Sequence, residues 1–241
     1  MTLSGNMRDR LTEALKRSKA DYAEVRVESS RATRVVFRGK RLELAGENVD
    51  AGGNVRVLFK GRGWGVASFT TLDDLPRLLA QAEDLSRAIV LDTPIRLAES
   101  APRSDEVIAP VDGDPFQVPL AEKRRYLEHL NGLMLSASDK IADTSATYYD
   151  DRTEWWYANS EGTYLYELRP EIGLSAQATA RHDGRIERSL ESLGLRQGWN
   201  SIQNREAMFR TAAQRALELL TAPTVPGGAL PVILDPRLAG V

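Results

Sequence analysis

The feature that most constrains this chain is a change of hydrophobic period that occurs twice along it. Met7, Leu11, Ala14 and Leu15 recur at helical spacing and predict an amphipathic helix near residues 6–18. From Tyr22 to Glu28 the period drops to two: Ala23, Val25 and Val27 alternate with Glu24, Arg26 and Glu28, as in a half-buried strand. Further strands are expected at Thr33–Arg38, Arg41–Gly46, Val55–Lys60 and Trp64–Phe69. Gly39-Lys40 and Gly61-Arg62-Gly63 supply hairpin-length turns in which glycine tolerates positive φ. Leu75, Leu78, Leu79, Ala82, Leu85 and Ile89 then mark a helix with Pro76 in its first turn and Asp73 or Asp74 as N-cap.

A proline-rich stretch without sustained period, 92–118, follows and reads as a linker or extended crossing segment. Beyond it the order returns. Leu120, Leu127, Leu130 and Met134 form a helix stripe, strands are expected at about 141–149, 153–159, 163–169, 172–180 and 185–192, and Phe209, Ala212, Ala213, Ala216 and Leu220 form a helix stopped by Pro223. The expected class is α+β, with two helix–antiparallel sheet–helix units at 1–91 and 119–222, the linker 92–118 between them, and 223–241 opening a further domain. A shift of 121 places Arg31 on Arg152, Leu44 on Leu165, Gly52 on Gly173, Gly63 on Gly184 and Ser68 on Ser189. Those identities alone are within reach of chance, and the shared element order is the stronger argument for a distant duplication.

Composition narrows the function. With 32 Lys+Arg against 34 Asp+Glu, the chain lacks the cationic surplus that phosphate neutralisation needs, so a nucleic-acid partner is not expected. Absence of cysteine removes disulfides, thiolate metal sites and a Cys nucleophile, and fits a cytoplasmic protein. No apolar run approaches the ~18 residues of a membrane span, and the opening MTLSGNMRDR has no signal-peptide core. Leu230–Leu234 is an apolar, strand-like run, and the LAGV ending after it reads as a cut in mid-element, so a longer parent protein is expected.

Few residues point to chemistry. His129 and His182 lack a partner at metal-ligand spacing, and Glu128 is about 100° from His129 around the helix. Lys60-Gly61-Arg62-Gly63-Trp64-Gly65 superficially resembles a phosphate-cradling loop but joins two strands, which favours a hairpin turn. Ser160, in Asn159-Ser160-Glu161-Gly162, has no nucleophile-elbow context. Asp73-Asp74 reads as capping, Tyr149-Asp150-Asp151-Arg152 as a loop beside strand ends, and Asp112 and Asp114 lack the other ligands of a calcium loop. Trp155 and Tyr157 share one strand face with Trp156 on the other, packing being the favoured role over a stacking platform for peptide or bases.

An ordered series of motifs nevertheless resembles the TldD/PmbA family, historically called modulators of DNA gyrase. It runs through Ala20-Asp21-Tyr22-Ala23-Glu24-Val25-Arg26, Gly52-Gly53-Asn54-Val55-Arg56-Val57 and Gly63-Trp64-Gly65-Val66-Ala67-Ser68. It continues at Asp114-Pro115-Phe116, Lys123, Asn159-Ser160-Glu161-Gly162, Pro226-Gly227-Gly228 and Pro231-Val232-Ile233-Leu234-Asp235-Pro236. The resemblance implies a two-part zinc metallopeptidase acting on unfolded or extended peptides in the cytoplasm. It also implies a homodimer, or a heterodimer with a PmbA/TldE-like subunit. In TldD-like members an HExxxH helix follows a segment like Leu234–Val241, so the zinc ligands are expected beyond Val241 and no catalytic, cofactor or metal residue is assigned here. Its chemistry would be a zinc-activated water with the motif glutamate as general base. Leu238-Ala239-Gly240-Val241 looks closer to the metal-bearing subunit than to the PmbA/TldE type. The resemblance thus implies a non-catalytic region for substrate access and dimerisation, with sheet edges able to accept an extended peptide. The rival is a metal-free PmbA/TldE-like scaffold subunit.

Overall fold

The computed structural model describes residues 7–229 and 231–239. Helix α1 (Met7–Leu15) precedes β1 (Tyr22–Arg38), β2 (Arg41–Leu58), β3 (Trp64–Phe69) and α2 (Leu75–Ala88). After the crossing segment with β4 (Ser104–Ile108) and a 3₁₀ turn at Pro115–Gln117 come α3 (Leu120–Leu135), β5 (Ile141–Asn159), β6 (Tyr164–His182) and β7 (Arg185–Leu195). A second 3₁₀ turn at Trp199–Ile202 leads to α4 (Glu206–Leu219), and Pro236–Ala239 forms the single turn α5. The fold is α+β, and strands from both units join in one sheet of order β3-β2-β1-β5-β6-β4, with β7 also on β6. All pairings are antiparallel except β4 on β6.

Eight of the strands expected from periodicity merge into four long ones. Thr33–Arg38 continues Tyr22–Glu28 within β1, Arg41–Gly46 continues into Val55 within β2, and β5 and β6 absorb their pairs likewise. The apparent breaks are the polar mid-strand residues. They arise because α1 to α4 pack on one face of the sheet, in two pairs separated by a gap. Val25 and Val27 of β1 join the core of α1 and α2, while Val35 and Phe37 on the same strand face join the core of α3 and α4. Between these cores Arg31 faces Arg152 across β1 and β5, and both are exposed. Polarity there marks missing helix cover, and the chain itself runs on. Tyr149-Asp150-Asp151-Arg152 accordingly lies within β5 and is no loop. Pro170 lies within β6 where β4 pairing has ended at Leu168 and β7 pairing begins at Ile172, so its missing N–H costs no ladder bond on that side.

The register carries the 121-residue shift. Moving the β1·β2 pair Val25↔Val55 by 121 gives the β5·β6 pair Ala146↔Ala176, and Glu28↔Gly52 gives Tyr149↔Gly173. Arg31↔Arg152, related by the same shift, is the pair on which the local two-fold between the hairpins falls.

Other expectations differ in detail. Leu85 and Ile89 are 45% and 37% exposed, since the face that α2 buries runs through Leu75, Leu78, Leu79, Ala82, Glu83 and Ser86. Asp74 occupies the N-cap position of α2, but its carboxylate bonds Arg77 rather than a backbone N–H. The crossing segment contributes the edge strand β4. Residues 231–234 form no strand, because no neighbouring strand takes their backbone groups and Ile233 is fully exposed. Leu230, Gly240, Val241 and residues 1–6 lie outside the described residues. No described helix is long and apolar enough to cross a membrane.

Candidate functional site

The sheet face opposite the helices is open, and one end of it gathers residues from four of the quoted motifs. Alternation in β1 puts Tyr22, Glu24 and Arg26 on this face, beside Arg56 of β2 and Tyr157 of β5. The extended segment 97–103 passes over them and encloses a cleft of about 400 Å³. Its floor is Glu24, 4% exposed. Tyr22 Oη donates to Glu24 Oε2 at 2.9 Å, and Tyr157 Oη lies 3.2 Å from the same oxygen and 2.8 Å from Tyr22 Oη. Glu24 Oε1 faces Arg56 at 3.2 Å and Arg26 at 3.3 Å.

Two guanidiniums on one carboxylate leave a net positive charge, spread over aromatic rings. Arg56 stacks on Trp64 at 4.3 Å and Arg26 on Tyr157 at 5.5 Å, while Tyr22 meets Trp64 edge-on. Burial, then the bonds to Tyr157 and Glu24, push the Tyr22 phenol well above the usual tyrosine range. Oε2 takes the phenols while Oε1 faces the two guanidiniums without a hydrogen bond, so the carboxylate serves as the shared counter-charge of Arg26 and Arg56. A second cleft, of about 530 Å³, continues along the open face past Arg26, Glu28, Asp50, Gly52, Asn54 and Trp155.

The motif residues Asp114-Pro115-Phe116 and Lys123 serve a closed cluster on the helix face. Lys123 of α3 reaches down to the sheet, with Nζ 2.6 Å from Asp150 Oδ2 and 3.0 Å from Thr33 Oγ1. Tyr148 also donates to Asp150, and Phe116 caps the ammonium at 5.3 Å. Lys123 and Asp150 have no exposed surface, so no ligand meets them without opening the core. Burial and the Asp150 charge raise the Tyr148 phenol.

The remaining candidates scatter. His129 is exposed on α3, and His182 is exposed at the end of β6, 3.3 Å from Asp183. Among the described residues no three His, Cys, Asp or Glu side chains gather as a metal ion requires, so the residues present do not fit a metal centre. Ser160 sits in the β5–β6 turn and accepts a bond from the Ala23 N–H. Lys60-Gly61-Arg62-Gly63 is the β2–β3 turn, with Lys60 and Gly61 at φ 51° and 63°, braced where Ser86 Oγ donates to the Gly63 carbonyl at 2.6 Å. Asp114 caps the Phe116 N–H, and Asp112 accepts from Asn200. Trp156 is core, whereas Trp155 and Tyr157 face the open side. Reading for catalytic pairs passed over Glu24, Arg56 and Lys123. The available signal was that each falls inside a quoted motif, and that Glu24 and Arg26 are two apart on a strand.

The model of the PmbA/TldA metallopeptidase domain 1 matches residues 23–89, and that of the PmbA/TldA metallopeptidase central domain matches residues 113–220. A metalloprotease of Synechocystis sp. is 36% identical over 225 residues, 93% of this chain and 48% of the relative. The chain thus spans about half the length of the curated relatives it matches. A Bacteroides thetaiotaomicron protein described as a modulator of DNA gyrase shares the fold at TM-score 0.78 and 18% identity, over 93% of this chain and 52% of its own. TldE from Thermococcus kodakarensis does so at TM-score 0.63 and 14% identity, over 88% of this chain and 47% of its own.

Proposed function

The chain belongs to the TldD/PmbA family, and we propose that it is the N-terminal, non-catalytic region of a TldD-like zinc metallopeptidase acting on unfolded or extended peptides. In this reading the region admits substrate and forms the dimer, as a homodimer or with a PmbA/TldE-like subunit, in the cytoplasm. The observation that carries it is the convergence of Tyr22, Glu24, Arg56, Trp64 and Tyr157 on a cleft whose buried carboxylate is shared by two phenols and two guanidiniums. Such a cluster of guanidiniums, phenols and an aromatic ring suits holding an extended chain by its polar groups. The relatives named metalloproteases support the peptidase class. Zinc would be held by residues other than those described here, supplying a polarised water and carbonyl.

The test is an unfolded, labelled peptide incubated with chain 1–241 and, separately, with a longer form encoding residues after Val241. Chelator-sensitive cleavage is expected from the longer form and an intact peptide from chain 1–241; cleavage by chain 1–241 overturns the proposal. The fold likeness to TldE favours a second reading, a partner subunit without metal. An HExxxH sequence after Val241 supports the enzyme, and its absence there the scaffold.

A further inference from the structure

β2 and β6 occupy equivalent places, because the 121-residue shift carries the β1·β2 register onto that of β5·β6. On β6 the outer edge at Tyr164–Leu168 is occupied by β4, a five-residue piece of the crossing segment running parallel to it. The equivalent stretch of β2 is Glu43–Glu47, and among the described residues no strand pairs with it there, β3 covering Gly53–Leu58. Among the described residues Arg41–Gly52 therefore presents a long run of edge backbone with no strand beside it, the Ala51 N–H being taken by the Asp50 carboxylate. Leu44 and Val49 along it are 46% and 69% exposed.

We propose that the β2 edge from Arg41 to Gly52 is a docking site for an extended peptide segment, added as a strand parallel to β2 in the way β4 is added to β6. The proposal rests on the region admitting extended chains and specifies where. β4 demonstrates the occupant's form: this sheet already seats a short parallel strand, held by backbone bonds, at the equivalent edge. A second copy is the poorer occupant. A two-fold pairing of β2 with β2 is necessarily antiparallel and, centred on this stretch, sets Glu43 of each copy against Asp50 of the other, like charge on like charge. Backbone recognition makes the site tolerant of sequence, with Leu44 and Val49 offering apolar contact on alternate faces.

Hydrogen exchange read by mass spectrometry tests this on chain 1–241, with a nine-residue unstructured probe of Thr, Val and Lys. Exchange over residues 41–52 should slow by about fivefold, saturably, and not at all with a probe N-methylated at alternate residues. The Leu44→Lys, Val49→Lys pair of substitutions, at exposed positions, should weaken the effect without altering the fold. A spin label at the probe's N-terminus should broaden resonances near Arg41 rather than near Gly52. Slowing at Trp64–Phe69 or Arg185–Leu195 instead, broadening near Gly52, slowing that grows with protein concentration without probe, or no slowing would each overturn the site. Those outcomes leave the peptidase reading intact, whereas cleavage by chain 1–241 defeats that reading and not this site.

Discussion

Lys123 Nζ lies 2.6 Å from Asp150 Oδ2, and neither side chain reaches solvent. The pair bolts α3 to β1 and β5 beside the gap between the two cores. Breaking a buried pair strands a charge, so Lys123→Met and Asp150→Asn should each cost about 3–5 kcal/mol in urea unfolding. The double variant should recover much of that loss. Additive losses would mean that the two charges are not coupled.

Glu24 organises the open-face cleft. Glu24→Gln replaces an acceptor of two phenols and a counter-charge for Arg26 and Arg56, and should destabilise by about 1–3 kcal/mol. With the carboxylate gone, Tyr22 should also ionise at lower pH, because one of the groups that raises it has been removed. Ultraviolet titration of the phenolates reads this, and an unchanged curve would contradict the cluster.

The two glycines of different surroundings give a paired test. A Cβ on Gly65 would run into the Ala82 carbonyl and the Ser86 N–H of α2, so Gly65→Ala should cost at least about 2 kcal/mol. Gly46, on the bare stretch of β2, has nothing within 4 Å of such a Cβ, and Gly46→Ala should be neutral or stabilising by up to about 1 kcal/mol. Equal effects on the urea midpoint would contradict the packing of α2 on β3.

Stability should fall at alkaline pH. Burial raises Tyr22, Tyr126, Tyr148, Tyr164 and Tyr166, the last to about 12 with help from Glu154. A phenol whose folded value lies above its unfolded value of about 10 favours the native state fully below pH 10. That contribution is lost as pH rises toward 12, because the unfolded chain releases its protons first. Thermal unfolding from pH 8 to 11.5 should show a steepening decline above pH 10, and a flat profile would contradict the buried phenols.

Much of the fold was legible where side chains alternate or recur cleanly, as in Ala23, Val25 and Val27 or in Phe209, Ala212, Ala213 and Ala216. Strand length was not. Ser29-Ser30-Arg31 and Asp151-Arg152 look like chain breaks, because local pattern reports burial and the strand middles cross an uncovered gap. Asp150 is the sharpest case: its acidic neighbours suggest exposure, while Lys123, 27 residues earlier, reaches over from α3 to bury it. The Glu24 cleft escaped for a related reason. Tyr22, Arg56, Trp64 and Tyr157 converge only through strand pairing, which periodicity within one segment does not encode.

The central claim is that this region receives a peptide and does not carry the metal that cleaves it. The most direct measurement is zinc content after dialysis of folded chain 1–241 against zinc and then against buffer, with a labelled unfolded peptide assayed on the same sample. The account predicts far less than one zinc per chain and an intact peptide. One tightly held zinc per chain, with hydrolysis of the peptide, would contradict it.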